Sequence, residues 1–423
     1  MLGTRGAPAR YGGFETAVDE IGRRLVAKGH DVTVYCRNGN SGKRRDPDMY
    51  EGMRLVHLPA ARKRALETLS HTFLSAAHAF TVPKYDAVLV CNAANALALP
   101  LLRMRGMPFA VHVDGLEWRR TKWGPVGRTY YRVAESLSVR WSDALIADAR
   151  GIEQYYLDEF GARTAGIAYG APDGSGIGTD KLHELGLTPD GFHVVVARFE
   201  PENHVDLMIE GYLRSNAKLP LVVVGSVPYP TEHSQRISDL AAGNDTVHLV
   251  GGVWDQDLLD QLYAGALTYL HGHSVGGTNP SLLRAMGAGT ATIAYDIVFN
   301  REVAGPHARY ASSPGEIAEA IDEAESDVAT TTHRGSLLAA RAQEKYDWDA
   351  VAERYEELFA SLAAGDSQRG LHTGRRARRS PWRDGHTPAL HLQPESDVET
   401  ALGSRIDATR TRDEAVAGPR EDA

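Results

Sequence analysis

Short apolar runs of strand length alternate with helix-length amphipathic segments along most of this chain, and few folds admit that alternation. Strand character falls at 31–36, 54–58, 87–91, 109–113, 144–147 and 164–168, then afresh at 192–197, 220–224, 246–249, 266–270 and 290–294. Helical periodicity intervenes. Behind Gly12 and Gly13, for instance, Val18, Ile21 and Leu25 share one face and Gly29 supplies the stop. Strands separated in this way by helices form parallel sheets with helices on both faces. A chain of 423 residues exceeds one ordinary core, and 43% hydrophobic residues can fill two. Tyr169-Gly170-Ala171-Pro172 closes the first set of strands, and a Gly-, Asp- and Ser-rich loop over 173–180 follows. The expected organisation is one α/β domain over 1–172, a second over 173–347 and a terminal helix over 348–362.

Charge and composition exclude several classes. The net charge of −9 argues against a dedicated nucleic-acid binder. Cys36 and Cys91, the only cysteines, sit inside apolar runs and offer neither a disulfide framework nor metal-site spacing, so a reducing cytoplasm is expected. The longest apolar runs, such as 93–102, are too short to span a bilayer, and no signal peptide precedes the first motif. From 365 to 423 the chain turns polar and charged, with a basic run at 374–383. Such a segment is expected to be disordered and solvated, a reading that outweighs contact with anionic lipid.

The stretch from His271 to Asp296, HGHSVGGTNPSLLRAMGAGTATIAYD, is the most informative in the chain. Asn279 is a good N-cap, Pro280 suits the first helical position, and Gly287 or Gly289 ends the helix before a strand. Gly276, Gly277 and Thr278 precede that helix, where free backbone N–H groups at the positive dipole end bind phosphate. The same pattern also serves as an ordinary turn in a doubly wound sheet.

This segment resembles the donor-binding signature of retaining GT-B glycosyltransferases of family 4, in which a Glu-x7-Glu motif opens a helix continuing Glu-Ala-Met-Ala-x-Gly. Residues 284–294 follow that pattern, except that Arg284 stands at the second Glu and Gly276 at the first. The second Glu of the family accepts hydrogen bonds from the ribose of the nucleotide sugar, and a guanidinium has no acceptor to offer. The N-terminal run GTRGAPARYGGFET (residues 3–16) looks like the opening of the rhamnosyltransferase-like branch. That branch normally has several apolar residues before the motif, whereas only Met1 and Leu2 precede Gly3. A start upstream of Met1, and a stunted central strand, are therefore expected.

The resemblance implies the GT-B architecture, two Rossmann-like domains facing across a cleft, with the terminal helix crossing back to the first domain. A nucleotide diphosphate sugar serves as substrate, and no cofactor or metal is implied. Donor contacts are expected from Gly12, Gly13, Arg198, Glu200, Asn203, Gly277, Thr278, Asn279 and Arg284, with Asn203 standing where most relatives carry a Lys. The diphosphate falls to Arg198 and backbone N–H groups, with Arg5 as a further candidate. A glycan or lipid-linked acceptor is expected at Arg5, Arg10, Tyr11, Glu117 and Trp118, with His112 and Asp114 beside the reacting centre. Each of the residues at 112–118 serves equally as a turn residue or core aromatic. Two basic stretches, 62–64 and 119–123, read either as a face for peripheral membrane contact or as scattered surface charge.

The expected activity is sugar transfer with retention, with rhamnose as a candidate sugar, in cell-surface polysaccharide synthesis. Arg284 carries the alternative, an impaired GT-B protein that binds a nucleotide or partner without turnover. On that view Arg284→Glu raises donor affinity and turnover. A nucleotide-sugar 2-epimerase shares the fold, but the Gly-Thr-Arg-Gly opening argues against it.

Overall fold

The computed structural model describes residues 1–9, 12–38, 48–61, 64–120, 123–227, 231–378 and 380–382, and the side chains of 64 and 65 are left out. Its thirteen strands among these residues are β1 (Thr33–Arg37), β2 (Met49–Tyr50), β3 (Met53–Leu58), β4 (Val88–Cys91), β5 (Phe109–His112), β6 (Ala144–Ala147), β7 (Ala165–Gly166), β8 (His193–Val196), β9 (Leu221–Val224), β10 (Val247–Gly251), β11 (Thr268–His271), β12 (Ala291–Tyr295) and β13 (Arg309–Ala311). The helices that matter below are α1 (Gly13–Ala27), α2 (Pro125–Trp141), α3 (Arg150–Phe160), α4 (Gln256–Ala264), α5 (Pro280–Gly287), α6 (Val298–Ala304), α7 (Val328–Lys345) and α8 (Trp348–Ala364).

All six strands of the second sheet are parallel, in the order β10-β9-β8-β11-β12-β13. Counted from its own first strand this is 3-2-1-4-5-6, the doubly wound order. Its central strands His193–Val196 and Leu221–Val224 are runs of Val buried on both faces, which only a sheet covered by helices on each side accommodates. The first sheet repeats the plan in two pieces, β1-β3-β2 and β4-β5-β6-β7. Met1 and Leu2 stitch them together. The Tyr35 N–H donates to the Met1 carbonyl (3.0 Å), and Leu2 bridges Val90 in parallel. The position of a central strand is thus held by two residues, in line with the short opening expected.

The architecture is the expected one, α/β with two Rossmann-like halves. Strand limits shift by at most two residues, and two short edge strands, β2 and β13, had no counterpart in the pattern. After α7, which packs on α5 and β12, the chain returns to the first half through α8. Asp347 caps α8 by accepting from the N–H groups of Asp349 and Ala350 (3.0 and 2.9 Å). Along α1, Arg24 meets Asp349 (2.6 Å) and Lys28 meets Glu356 (2.6 Å).

Residues 366–378 and 380–382 depart from the expectation of a solvated tail beginning at 365. They form a strap across the first half. Asp143 receives Arg369 (2.5 Å) and the Ser367 hydroxyl (2.5 Å). Arg376 pairs with Glu135 (2.5 Å) and Glu159 (2.9 Å), carboxylates only 4% and 2% exposed, and also donates to the Tyr155 hydroxyl (2.8 Å). Trp382 is fully buried against Tyr155, its ring N–H bonded to Asp158 (2.9 Å). A basic run read alone looks solvated, whereas here its Arg376 answers acids buried on α2 and α3. Residues from 383 onward lie outside the described residues.

Removing Arg376 strands two buried carboxylates. Arg376→Ala is therefore expected to cost about 3–5 kcal/mol of stability, measurable by urea denaturation of the full chain, and an effect below about 1 kcal/mol would contradict a buried ion network.

Candidate active site

In sheets of this order, ligands sit at the point where the strand order reverses, beyond the carboxyl ends of the strands. In the second half that point lies between β8 and β11, so the segments 197–204 and 272–279 flank it. In the first half it lies between Leu2 and β4, flanked by Gly3–Pro8 on one side and Asn92 on the other. The two carboxyl edges face each other and touch. A Cβ on Gly13 would lie 2.8 Å from Pro280 Cγ, and one on Gly115 would lie 2.7 Å from Gly276 Cα. Both approaches require a residue without a side chain.

The loop before α5 forms as its sequence suggests. Asn279 accepts from the Ser281 N–H (3.0 Å), Pro280 takes the first turn, and Gly289 adopts a φ of 75° beyond the end. One of its backbone groups is already engaged. The Thr278 N–H donates to Asp148 Oδ2 of the first half (3.1 Å), and the Thr278 hydroxyl donates to the Asp148 backbone carbonyl. Any Cβ on Gly277 would collide with the Asp148 carboxylate. Asp148 was not among the expected site residues, although it directly follows the strand expected at 144–147.

Burial pushes the Asp148 carboxyl up to about 8, with the charge of Asp114 adding to the shift. Asp114 sits at φ 62°, accepts from the Asn92 amide (3.1 Å), and donates its own N–H to His112 Nδ1 (3.3 Å). His112 stacks on Tyr169 at 5.4 Å and meets the edge of Phe14 at 5.0 Å. Burial depresses the His112 imidazole to about 3, so it is neutral at ordinary pH. With Nδ1 accepting, its proton sits on Nε2, a buried atom without a partner among the described residues.

The acceptor-side segment is held mostly by its own half. Glu117 is buried and takes Arg120 and the Trp123 ring N–H (3.2 Å). Trp118 donates to the Tyr155 hydroxyl (3.2 Å) and lies under the guanidinium groups of Arg119 and Arg132, at 5.2 and 5.4 Å. This corresponds to the core-aromatic alternative rather than to an open platform. Arg119 also donates to the Trp382 carbonyl (3.2 Å), so Arg119 and Arg120 are internal partners and not a membrane-facing pair. The Arg5 N–H donates to Glu15 (3.0 Å). Arg10, Tyr11, Arg62, Lys63 and Lys122 lie outside the described residues.

In the second half, Arg198 lies two residues beyond β8 and its carbonyl accepts from the Asn203 amide (2.8 Å), so Asn203 shapes the turn that Glu200 opens. Arg284 turns toward α4, donating to Asp260 (2.6 Å) and Gln256 (3.0 Å). A Glu at 284 would face Asp260 instead. Sequence reasoning also passed over Glu202, whose carboxylate lies 3.8 Å from Arg120 across the cleft, and the stacked pair His271 and His273 at 4.5 Å. Both sit in the strand-end segments where site residues are sought, which was the available signal.

The Asp148 shift predicts a pH dependence. Its folded value lies above its unfolded value near 3.8, so the folded chain keeps a proton that the unfolded chain releases. Stability therefore falls as pH rises from about 4 to about 8 and levels off beyond. Asp148→Asn retains an acceptor for Thr278, and its gain over the parent should grow across that window. Urea midpoints at roughly pH 5, 6.5, 8 and 9 measure it, and an equal difference at all four would rule out the shift.

Residues 12–170 match the family model of the glycosyl transferase 4-like domain, and residues 184–336 match that of the glycosyl transferases group 1, together about three quarters of the chain. No curated protein matches the sequence. Among solved structures, sucrose-phosphate synthase from Thermosynechococcus elongatus is 20% identical with a TM-score of 0.69, covering 84% of this chain and 94% of its own. Anabaena Alr3699/HepE in complex with UDP-glucose is 15% identical with a TM-score of 0.65, covering 84% and 97%. A glycosyltransferase from Rickettsia africae is 14% identical with a TM-score of 0.64 over the same shares. With the two domains in this order on this fold, the chain belongs to the GT-B glycosyltransferases of the family-4 type.

Proposed function

We propose that this chain transfers a sugar, with retention, from a nucleotide diphosphate sugar to a hydroxyl of a glycan or lipid-linked acceptor, in cell-surface polysaccharide synthesis at the cytoplasmic side of the membrane. Rhamnose is the first sugar to test, because of the opening run at residues 3–16. One observation carries the reading: two reversal points, one flanked by Arg198 and the Thr278 loop and the other by His112 and Asp114, face each other across one cleft. The complex of Anabaena Alr3699/HepE with UDP-glucose on a similar fold supports a donor of this class. No helix among the described residues is long and apolar enough to cross a membrane.

The donor lies on the second half, its diphosphate toward Arg198 and the backbone ahead of α5. The acceptor hydroxyl attacks the anomeric carbon from the side on which the diphosphate departs. The carbon–oxygen bond to the leaving group breaks with its electron pair going to the phosphate oxygen, and that oxygen takes the acceptor's proton. A His112 imidazole depressed to about 3 is too weak a base to remove this proton, so its Nε2–H is assigned to hydrogen-bonding the sugar. Neither a metal nor a cofactor enters this scheme.

Binding and donor-dependent hydrolysis across UDP-, GDP- and dTDP-sugars test the reading, and failure to bind any of them would refute it. Arg198→Ala should weaken nucleotide diphosphate binding by about 1.5–3 kcal/mol, the range for hydrogen bonds to charged groups, by calorimetry. Unchanged affinity would place the diphosphate elsewhere.

The second reading, nucleotide binding without turnover, rests on Arg284. Steady-state transfer by the parent and Arg284→Glu on one donor–acceptor pair decides it. Higher turnover in the variant supports impairment by Arg284. Equal or lower turnover shows that the Arg284–Asp260 pair is itself required or neutral.

A further inference from the structure

The donor side of the cleft is short of positive charge if Arg198 stands alone. A nucleoside diphosphate brings at least two negative charges, and the Asn203 amide, bonded to the Arg198 carbonyl, is neutral. A second guanidinium reaches the same place from the opposite half. Arg120 follows the helical turn Glu117–Arg119, is only 15% exposed, and is gripped by Glu117. Its Nη1 stands 3.8 Å from Glu202 Oε1 of the second half, an attraction too long for a hydrogen bond.

His273, just past β11, stacks on His271 at 4.5 Å. Burial holds its imidazole well below the ordinary value, and the positive fields of His271, Arg198, Arg120 and His204 lower it further. Arg120 thus comes, through Glu202, to the same 197–204 segment that carries Arg198. The Ser274 N–H and hydroxyl both donate to the Glu202 carbonyl (2.9 and 3.0 Å), tying this segment to the start of the Gly276–Thr278 loop.

We propose that Arg120 is a donor-binding residue, delivered from the first half, whose guanidinium joins Arg198 on the diphosphate of the nucleotide sugar. Glu117 orients it as a carboxylate orients a bidentate Arg, while the loose Glu202 contact yields to a phosphate oxygen. Diphosphate binding then draws the halves together, because its two cations belong to different halves. This inference rests on the proposed donor class and adds the residue that the neutral Asn203 leaves wanting.

The test compares a nucleoside diphosphate with its nucleoside by calorimetry, using the base for which the parent shows affinity. Arg120→Gln should weaken the diphosphate about tenfold or more and leave the nucleoside unchanged, with Arg120→Lys in between. Because Arg120→Gln alone removes the cation beside the buried Glu117 carboxylate, Arg120→Gln with Glu117→Gln provides the variant that keeps the fold. Diphosphate affinity within twofold of the parent in a folded variant would overturn the assignment. So would equal losses for diphosphate and nucleoside, the signature of a merely structural role. A parent that binds nucleosides but no diphosphate would refute the donor class itself, and this inference with it.

Discussion

One backbone amide bonds the two halves of this protein to each other at the candidate site. The Thr278 N–H lies at the entrance to α5, where helix geometry leaves donors exposed and favours an anion. In the structure the acceptor is the Asp148 side chain from the other half, with the Thr278 hydroxyl donating to the Asp148 carbonyl. The glycines at 276 and 277 make this approach possible, since any Cβ on Gly277 would meet that carboxylate. One backbone donor of the loop before α5 is thus already satisfied inside the protein.

Much of the fold was legible because both sheets are buried on both faces. Parallel strands covered by helices must be apolar runs, and runs such as Leu221–Val224 stand out from the amphipathic helices between them. The edge strands β2 and β13, two and three residues long and partly exposed, carry no such signal. The strap shows the opposite failure. Its composition is that of a solvated tail, but two residues, Arg376 and Trp382, find buried partners on α2 and α3 that lie more than 200 positions earlier.

At the site, the motif loops placed strand-end residues well and side-chain directions poorly. Asn279 caps α5 as its identity suggests, yet Arg284, one turn on, is committed to Asp260 and Gln256 of α4. Trp118 has the chemistry of a sugar platform, but Arg119, Arg132 and Tyr155 occupy its surroundings. Such preferences depend on which neighbours a fold brings up, and no local pattern records them. Asp148 escaped notice for the same reason, since its partner Thr278 belongs to the other half.

The linker after β7 and the return into α8 are joined to each other, the Ala171 N–H donating to the Tyr346 carbonyl at 2.7 Å. The chain therefore passes between the halves at one shared place. Two connections side by side behave as one pivot, so relative movement is a rotation about that place rather than a sliding of one half on the other. Under such a rotation, separation grows with distance from the pivot. Gly287, whose missing Cβ makes room for the Pro172 carbonyl, lies beside the pivot and would hardly move relative to it. The cleft works as a pair of jaws whose joint is built from the backbone itself.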